Sequence, residues 1–94
     1  MQTNRNVLIK LTVNNHPGVM SHITGLFSRR GFNLEGILCG TIGNGEKSEM
    51  FLLVRNDNRL AQITAQLDKL YDVLEVEQRE TYNPEVFNRI EELV

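Results

Sequence analysis

The feature that most constrains this chain is a change of hydrophobic period, made twice within 94 residues. Val7, Ile9, Leu11 and Val13 alternate with Leu8, Lys10, Thr12 and Asn14, which is the period of a strand with its first set facing a core. Asn14-Asn15-His16-Pro17-Gly18 breaks that pattern. Val19, Ile23, Leu26, Phe27 and Arg30 then recur at helical spacing, with Met20 beside them. Pro17 suits the first turn of that helix, where no N–H is required, and Gly31 suits its left-handed terminus. Phe32 to Ile42 reads as a second strand carrying Leu34, Ile37, Leu38 and Cys39. Gly43-Asn44-Gly45 is a turn signal. Lys47 to Val54 is a third strand, with Met50, Leu52 and Val54 on one side and Phe51 and Leu53 on the other. Asn56-Asp57-Asn58 signals a helix start, and Leu60, Ile63, Leu67 and Leu70 form the helical stripe that follows. Val73 to Arg79 is a fourth strand built round Leu74 and Val76.

The order βαββαβ predicts an α+β, ferredoxin-like domain: a four-stranded antiparallel sheet with both helices on one face. Leu8 and Phe51 are out of phase with the core-facing sets, so part of the other face is expected to be apolar. Asn83-Pro84 reads as an N-cap and first helical residue. Val86, Phe87, Ile90, Leu93 and Val94 then line one side of a short C-terminal helix. The expected organisation is one domain over 1–80 and an amphipathic tail over 81–94. The tail can fold back on its own sheet or dock on another chain.

A domain of this length has a thin core and a reason to oligomerise. Its net charge of −2 argues against nucleic-acid or membrane-surface partners, which favour a basic face. The single cysteine excludes an internal disulfide and fits a reducing compartment. The polar start has no signal-peptide core, and no stretch approaches the roughly 20 apolar residues of a membrane span. The expectation is a soluble cytoplasmic protein.

Catalytic signals are sparse. His16 and His22 are six apart, not at the i, i+4 spacing of a helical metal pair. Cys39 reads as a small buried strand residue. Gly40, Gly43 and Gly45 lie between two strands, not between a strand and a helix, so they form no phosphate-binding loop. Arg29-Arg30 suits a helix C-terminus. No metal, cofactor or catalytic residue is expected.

The informative segment is the first strand-to-helix junction. A helix N-terminus presents unpaired N–H groups and partial positive charge, a receptor for a carboxylate. Gly18 leaves room for a ligand to approach the backbone, and Asn15 offers an amide with both donor and acceptor. Equally, Asn14 or Asn15 can simply cap the helix.

Asn15-His16-Pro17-Gly18-Val19 resembles the N-x-P-G-V signature of ACT domains, βαββαβ modules that bind amino acids and regulate metabolic enzymes. Gly25-Leu26-Phe27-Ser28-Arg29-Arg30-Gly31-Phe32-Asn33-Leu34-Glu35 is similar to the G-L-F-x-x-R-G-x-N-I-E run of the small regulatory subunits of acetohydroxyacid synthase (AHAS, acetolactate synthase). Leu67-Asp68-Lys69-Leu70-x-Asp72-Val73-Leu74-x-Val76 resembles the same family's second helix and fourth strand. The match spans roughly 6–79. Most members carry a second C-terminal domain. The expectation here is the short isozyme I type, whose N/D-P-x-x-F-N-x-I tail resembles Asn83 to Ile90.

The resemblance implies a non-catalytic regulatory subunit, with thiamine diphosphate and flavin held by a catalytic large subunit. It implies a homodimer that binds valine, or another branched-chain amino acid, between two ACT domains. Asn15, His16, Pro17, Gly18, Val19 and Met20 of one protomer would then meet Asn33 and Leu34 of the other. An ACT-type sensor for a different enzyme is the main alternative. An RNA-recognition motif shares the strand order, but Lys47-Ser48-Glu49-Met50-Phe51-Leu52-Leu53-Val54 lacks the aromatic pattern of its third strand. A small hydrolase on this fold would need an arginine-bearing phosphate loop after the first strand, and this loop has none.

Overall fold

The computed structural model describes residues 6–79. Its elements are β1 (Asn6–Asn14), α1 (Val19–Arg29), β2 (Leu34–Ile42), β3 (Lys47–Arg55), α2 (Leu60–Asp68) and β4 (Val73–Arg79). The sheet order is β2-β3-β1-β4, with every neighbouring pair antiparallel. The expected fold class is therefore observed. The helix expected near the C-terminus, and the boundary at residue 80, lie outside the described residues.

The strand alternation decides which face is covered. Val7, Ile9, Leu11 and Val13 lie opposite Val54, Leu52, Met50 and Ser48 of β3. All of these pack, or sit buried, beneath Val19, Ile23, Leu26 and Phe27 of α1 and Leu60, Ile63 and Leu67 of α2. One helix stripe from each βαβ half thus covers one sheet face, as the split topology requires. On the opposite face Leu8 pairs with Leu53 across β1 and β3, and both are buried, at 6% and 9% exposure. Phe51 and Leu38 adjoin them in register. The apolar character expected of that face is present, and Lys10 and Glu49 flank it with an ion pair at 3.3 Å.

The end of α1 is built as its glycine predicts. Gly31 takes φ +76°, its N–H donates to the Ser28 carbonyl at 3.1 Å, and the Phe32 N–H donates to the Phe27 carbonyl at 3.0 Å. This is a Schellman closure, and its hydrophobic contact is the edge-to-face pair Phe27–Phe32, with centroids 6.1 Å apart. Asp57 opens α2 by accepting from the Arg59 N–H at 2.7 Å.

Four details depart from the sequence expectation. α1 begins at Val19, two residues after Pro17, because Gly18 takes φ +86° and interrupts the helical path. β2 begins at Leu34 rather than Phe32, since Phe32 belongs to the helix closure. Leu74 is exposed at an irregularity opposite Thr12 and Val13, so Val73 and Val76, not Leu74, face the core. Cys39 is exposed rather than buried, because β2 is an edge strand of the sheet, with no neighbour on its outer side among the described residues.

Candidate functional site

β1 is an inner strand, so the loop that leaves it is held from both sides. The Asn14 N–H donates to the Asp72 carbonyl at 2.8 Å, and the Asn15 N–H donates to the Glu46 carbonyl at 2.9 Å. Asn15 Nδ2 donates to the Gly45 carbonyl at 2.9 Å, tying the loop to the β2–β3 hairpin. His16 Nε2 lies 3.1 Å from Asp72 Oδ1. Neither Asn14 nor Asn15 caps α1. The cap position is Gly18, and among the described residues no side chain accepts from the helix start.

That helix start is open to an anion. The Val19 N–H donates to the His16 carbonyl and the His22 N–H to that of Gly18. Among the described residues the amides of Met20 and Ser21 find no such carbonyl. The first turn itself carries no acidic residue, and the nearby Asp72 carboxylate is engaged with Asn14 and His16. A Cβ built on Gly18 would have no heavy atom within 4 Å. Asn15, His16, Pro17 and Gly18 are all exposed, and Met20 is 44% exposed. Val19 is turned into the core, at 8% exposure, and contributes backbone rather than an open side chain.

Asn33 and Leu34 lie elsewhere. Leu34 is in register with Val54, which pairs with Val7, whereas Asn14 pairs with Lys47, which pairs with Ile42. The two halves of the expected site therefore occupy opposite ends of the sheet, on the order of 25 Å apart along its strands. Asn33 is exposed, with Nδ2 3.5 Å from Glu35 Oε2, and Leu34 is half-buried against the core. An open groove of about 470 Å³ runs along α1 above them, past Ser21, Thr24, Gly25 and Ser28. Within one chain the expected residues are not assembled. Between the two clusters runs the outer edge of β2, with Ile37 and Ile42 exposed beside it.

Little else on the surface offers chemistry. Among the described residues no three metal-ligating side chains cluster, and no helix is long and apolar enough to cross a membrane. Partial burial pushes the Cys39 thiol above its ordinary value, the opposite of nucleophile activation. Two contributors were not foreseen from sequence. Asp72 gathers Asn14 and His16, and Arg59 bridges the end of α1 to the start of α2. The Asp72 contact spans 58 positions, beyond the reach of any local pattern.

The chain is similar to known proteins over most of its length. The profile of the AHAS small subunit-like ACT domain matches residues 9–75. The chain is 54% identical over 88 residues to the acetolactate synthase isozyme 1 small subunit of Escherichia coli K12, covering 94% of this chain and 91% of that one. It is 44% identical over 70 residues to a probable acetolactate synthase small subunit of Methanothermobacter thermautotrophicus, covering 73% of this chain and 42% of the other. Among solved structures, the acetolactate synthase small subunit of Thermotoga maritima superposes with a TM-score of 0.70 at 36% identity, over 79% of this chain and 47% of that one.

Proposed function

The chain belongs to the ACT-domain small subunits of AHAS, the regulatory and non-catalytic partners of a large subunit, and from that premise we propose that it binds a branched-chain amino acid, valine foremost, between two copies of itself. Binding there sets the activity of the catalytic large subunit as feedback control.

The observation that carries this reading is the division of the candidate site between the two ends of one sheet, with a strand edge between them that is unpaired among the described residues. An exposed edge is a template for pairing. A two-fold axis near Leu38 would set β2 antiparallel to its copy, with Leu34 opposite Ile42. That brings the 33–34 end of one protomer beside the 42–46 hairpin of the other. Asn15 is already tied to that hairpin through Gly45 and Glu46. The α1 N-terminus would receive the effector carboxylate, and the amides of Asn15 and Asn33 would divide its ammonium and carboxylate. Leu34 and Met20 would take the branched side chain. A ligand at such a seam favours the paired arrangement over others and shifts their populations, which is how a site remote from catalysis acts.

The test is calorimetric titration of the full chain with valine, leucine and isoleucine, alongside sedimentation. Valine is expected to bind to a dimer. At about 100 times its dissociation constant it should add roughly 2.7 kcal/mol to folding stability. A chain that stays monomeric at micromolar concentration with valine present, or that binds none of the three, overturns the reading.

A further inference from the structure

We infer that Asp72, outside the effector site itself, is a positioning residue that holds the Asn15–Gly18 loop in its binding shape; this rests on the effector reading above. Three interactions from the end of β1 and its loop converge on it. Its carbonyl accepts from the Asn14 N–H at 2.8 Å. Its Oδ1 accepts from Asn14 Nδ2 at 3.3 Å and lies 3.1 Å from His16 Nε2. Residues 14 and 16 flank Asn15, so the contacts straddle the amide proposed to meet the effector.

The two sides of the loop are held differently. On the hairpin side the acceptors are the backbone carbonyls of Gly45 and Glu46. On the β4 side the acceptor for Asn14 Nδ2 and the His16 ring is a side chain. That clamp alone can be removed by substitution while the main chain is left in place. A binding loop ordered in advance avoids the cost of ordering on contact. If only a fraction of molecules hold the competent shape, the apparent dissociation constant rises by the inverse of that fraction.

Asp72→Ala is therefore expected to weaken valine binding roughly fivefold to tenfold. Leucine and isoleucine should lose by the same factor, because the loop grips the amino-acid head that all three share. Sedimentation should still show the dimer, and synthase activity with the large subunit, without valine, should match the parent. Amide exchange at Asn15 and Val19, whose N–H groups donate to the Glu46 and His16 carbonyls, should quicken, reporting the loosened loop directly. Asp72→Asn keeps an acceptor oxygen in place and should restore affinity to within about twofold of the parent. Parent-like affinity in Asp72→Ala overturns the inference, as does an Asp72→Asn variant no tighter than the alanine. A parent chain that binds none of the three amino acids overturns the effector reading, and this inference with it.

Discussion

The Arg59 guanidinium lies over the Phe32 ring, 4.7 Å from its centroid, while its Nη1 donates to the Arg30 carbonyl at 2.7 Å. One side chain at the start of α2 thus covers the aromatic residue that closes α1 and satisfies a carbonyl at that helix's end. The two βαβ halves are fastened together at this end of the sheet. Asp57 holds the same guanidinium by its Nε and Nη2. Arg59→Ala is expected to lower the melting temperature by a few degrees. Arg59→Lys should not restore it, because an ammonium cannot stack flat on the ring and reach both partners. Parallel thermal melts of the three proteins check this. A lysine variant that melts like the parent would show that charge alone matters.

Acid should erode part of the stability in a defined direction. The hydrogen bond from Arg59 holds the Asp57 carboxyl below its ordinary range, and that from Arg79 does the same for Glu77. A carboxyl with a depressed folded value stabilises the fold above the unfolded value. That contribution is lost as pH falls through the folded one. The decline should therefore begin near pH 4 and continue below it. Both pairs are at the surface, so the effect is modest and shrinks with added salt. Denaturant melts from pH 7 to pH 3 should show a shallower acid decline in Arg59→Ala than in the parent. Identical slopes would remove Asp57 from the account.

Most of the fold is legible in the sequence because periodicity depends only on neighbours along the chain. Val7 to Val13 and Met50 to Val54 alternate, and they land on the helix-covered face. Gly31 closes α1 in the conformation that only glycine takes readily. What escaped depends on placement across the sheet. Cys39 reads as a buried strand residue until the order β2-β3-β1-β4 puts it on an edge. Leu74 fits the core pattern until an irregularity in the β1–β4 register turns it out. The loop residues Asn15 to Gly18 were legible as a candidate site. Their distance from Asn33 and Leu34 was not, because the strand ends on which each pair sits are fixed by register.

Cys39 offers a direct probe of the proposed pairing. It is the single cysteine of the chain, it is exposed, and it lies next to the proposed axis at Leu38. Antiparallel β2 edges centred there set Cys39 opposite Ile37 of the copy, leaving the two thiols diagonal neighbours about 7–8 Å apart at the backbone. A short bis-maleimide should therefore yield covalent dimer. The raised thiol value means that the reactive thiolate is scarce at neutral pH and grows as pH rises, so crosslinking should quicken from pH 7 to pH 9. Crosslinking should also become more complete with valine, if valine favours the pair. Efficient maleimide labelling without any dimer would place the interface away from β2.

Gly18 separates the charge of the effector from the shape of its loop. Gly18 takes φ +86°, and a Cβ there would meet open space. Any side chain at this position therefore costs backbone strain rather than a clash, about 1–2 kcal/mol for a residue held left-handed. Gly18→Ala carries that strain alone. Gly18→Asp carries it together with a negative charge beside the α1 N-terminus, where the effector carboxylate is proposed to sit. Charge at a helix start is itself mildly favourable, by about 0.3–1 kcal/mol, so the aspartate should melt no lower than the alanine. Both variants should melt a few degrees below the parent and remain folded. Their valine affinities should diverge. The alanine should lose less than about tenfold, and the aspartate should lose at least another tenfold, a further 1.4 kcal/mol, because two carboxylates would compete for the same amides. Calorimetry and thermal melts on the same samples measure both quantities. Equal affinities in the two variants would mean that the carboxylate is not bound at this junction, and that the roles given to Asn15 and Gly18 are wrong.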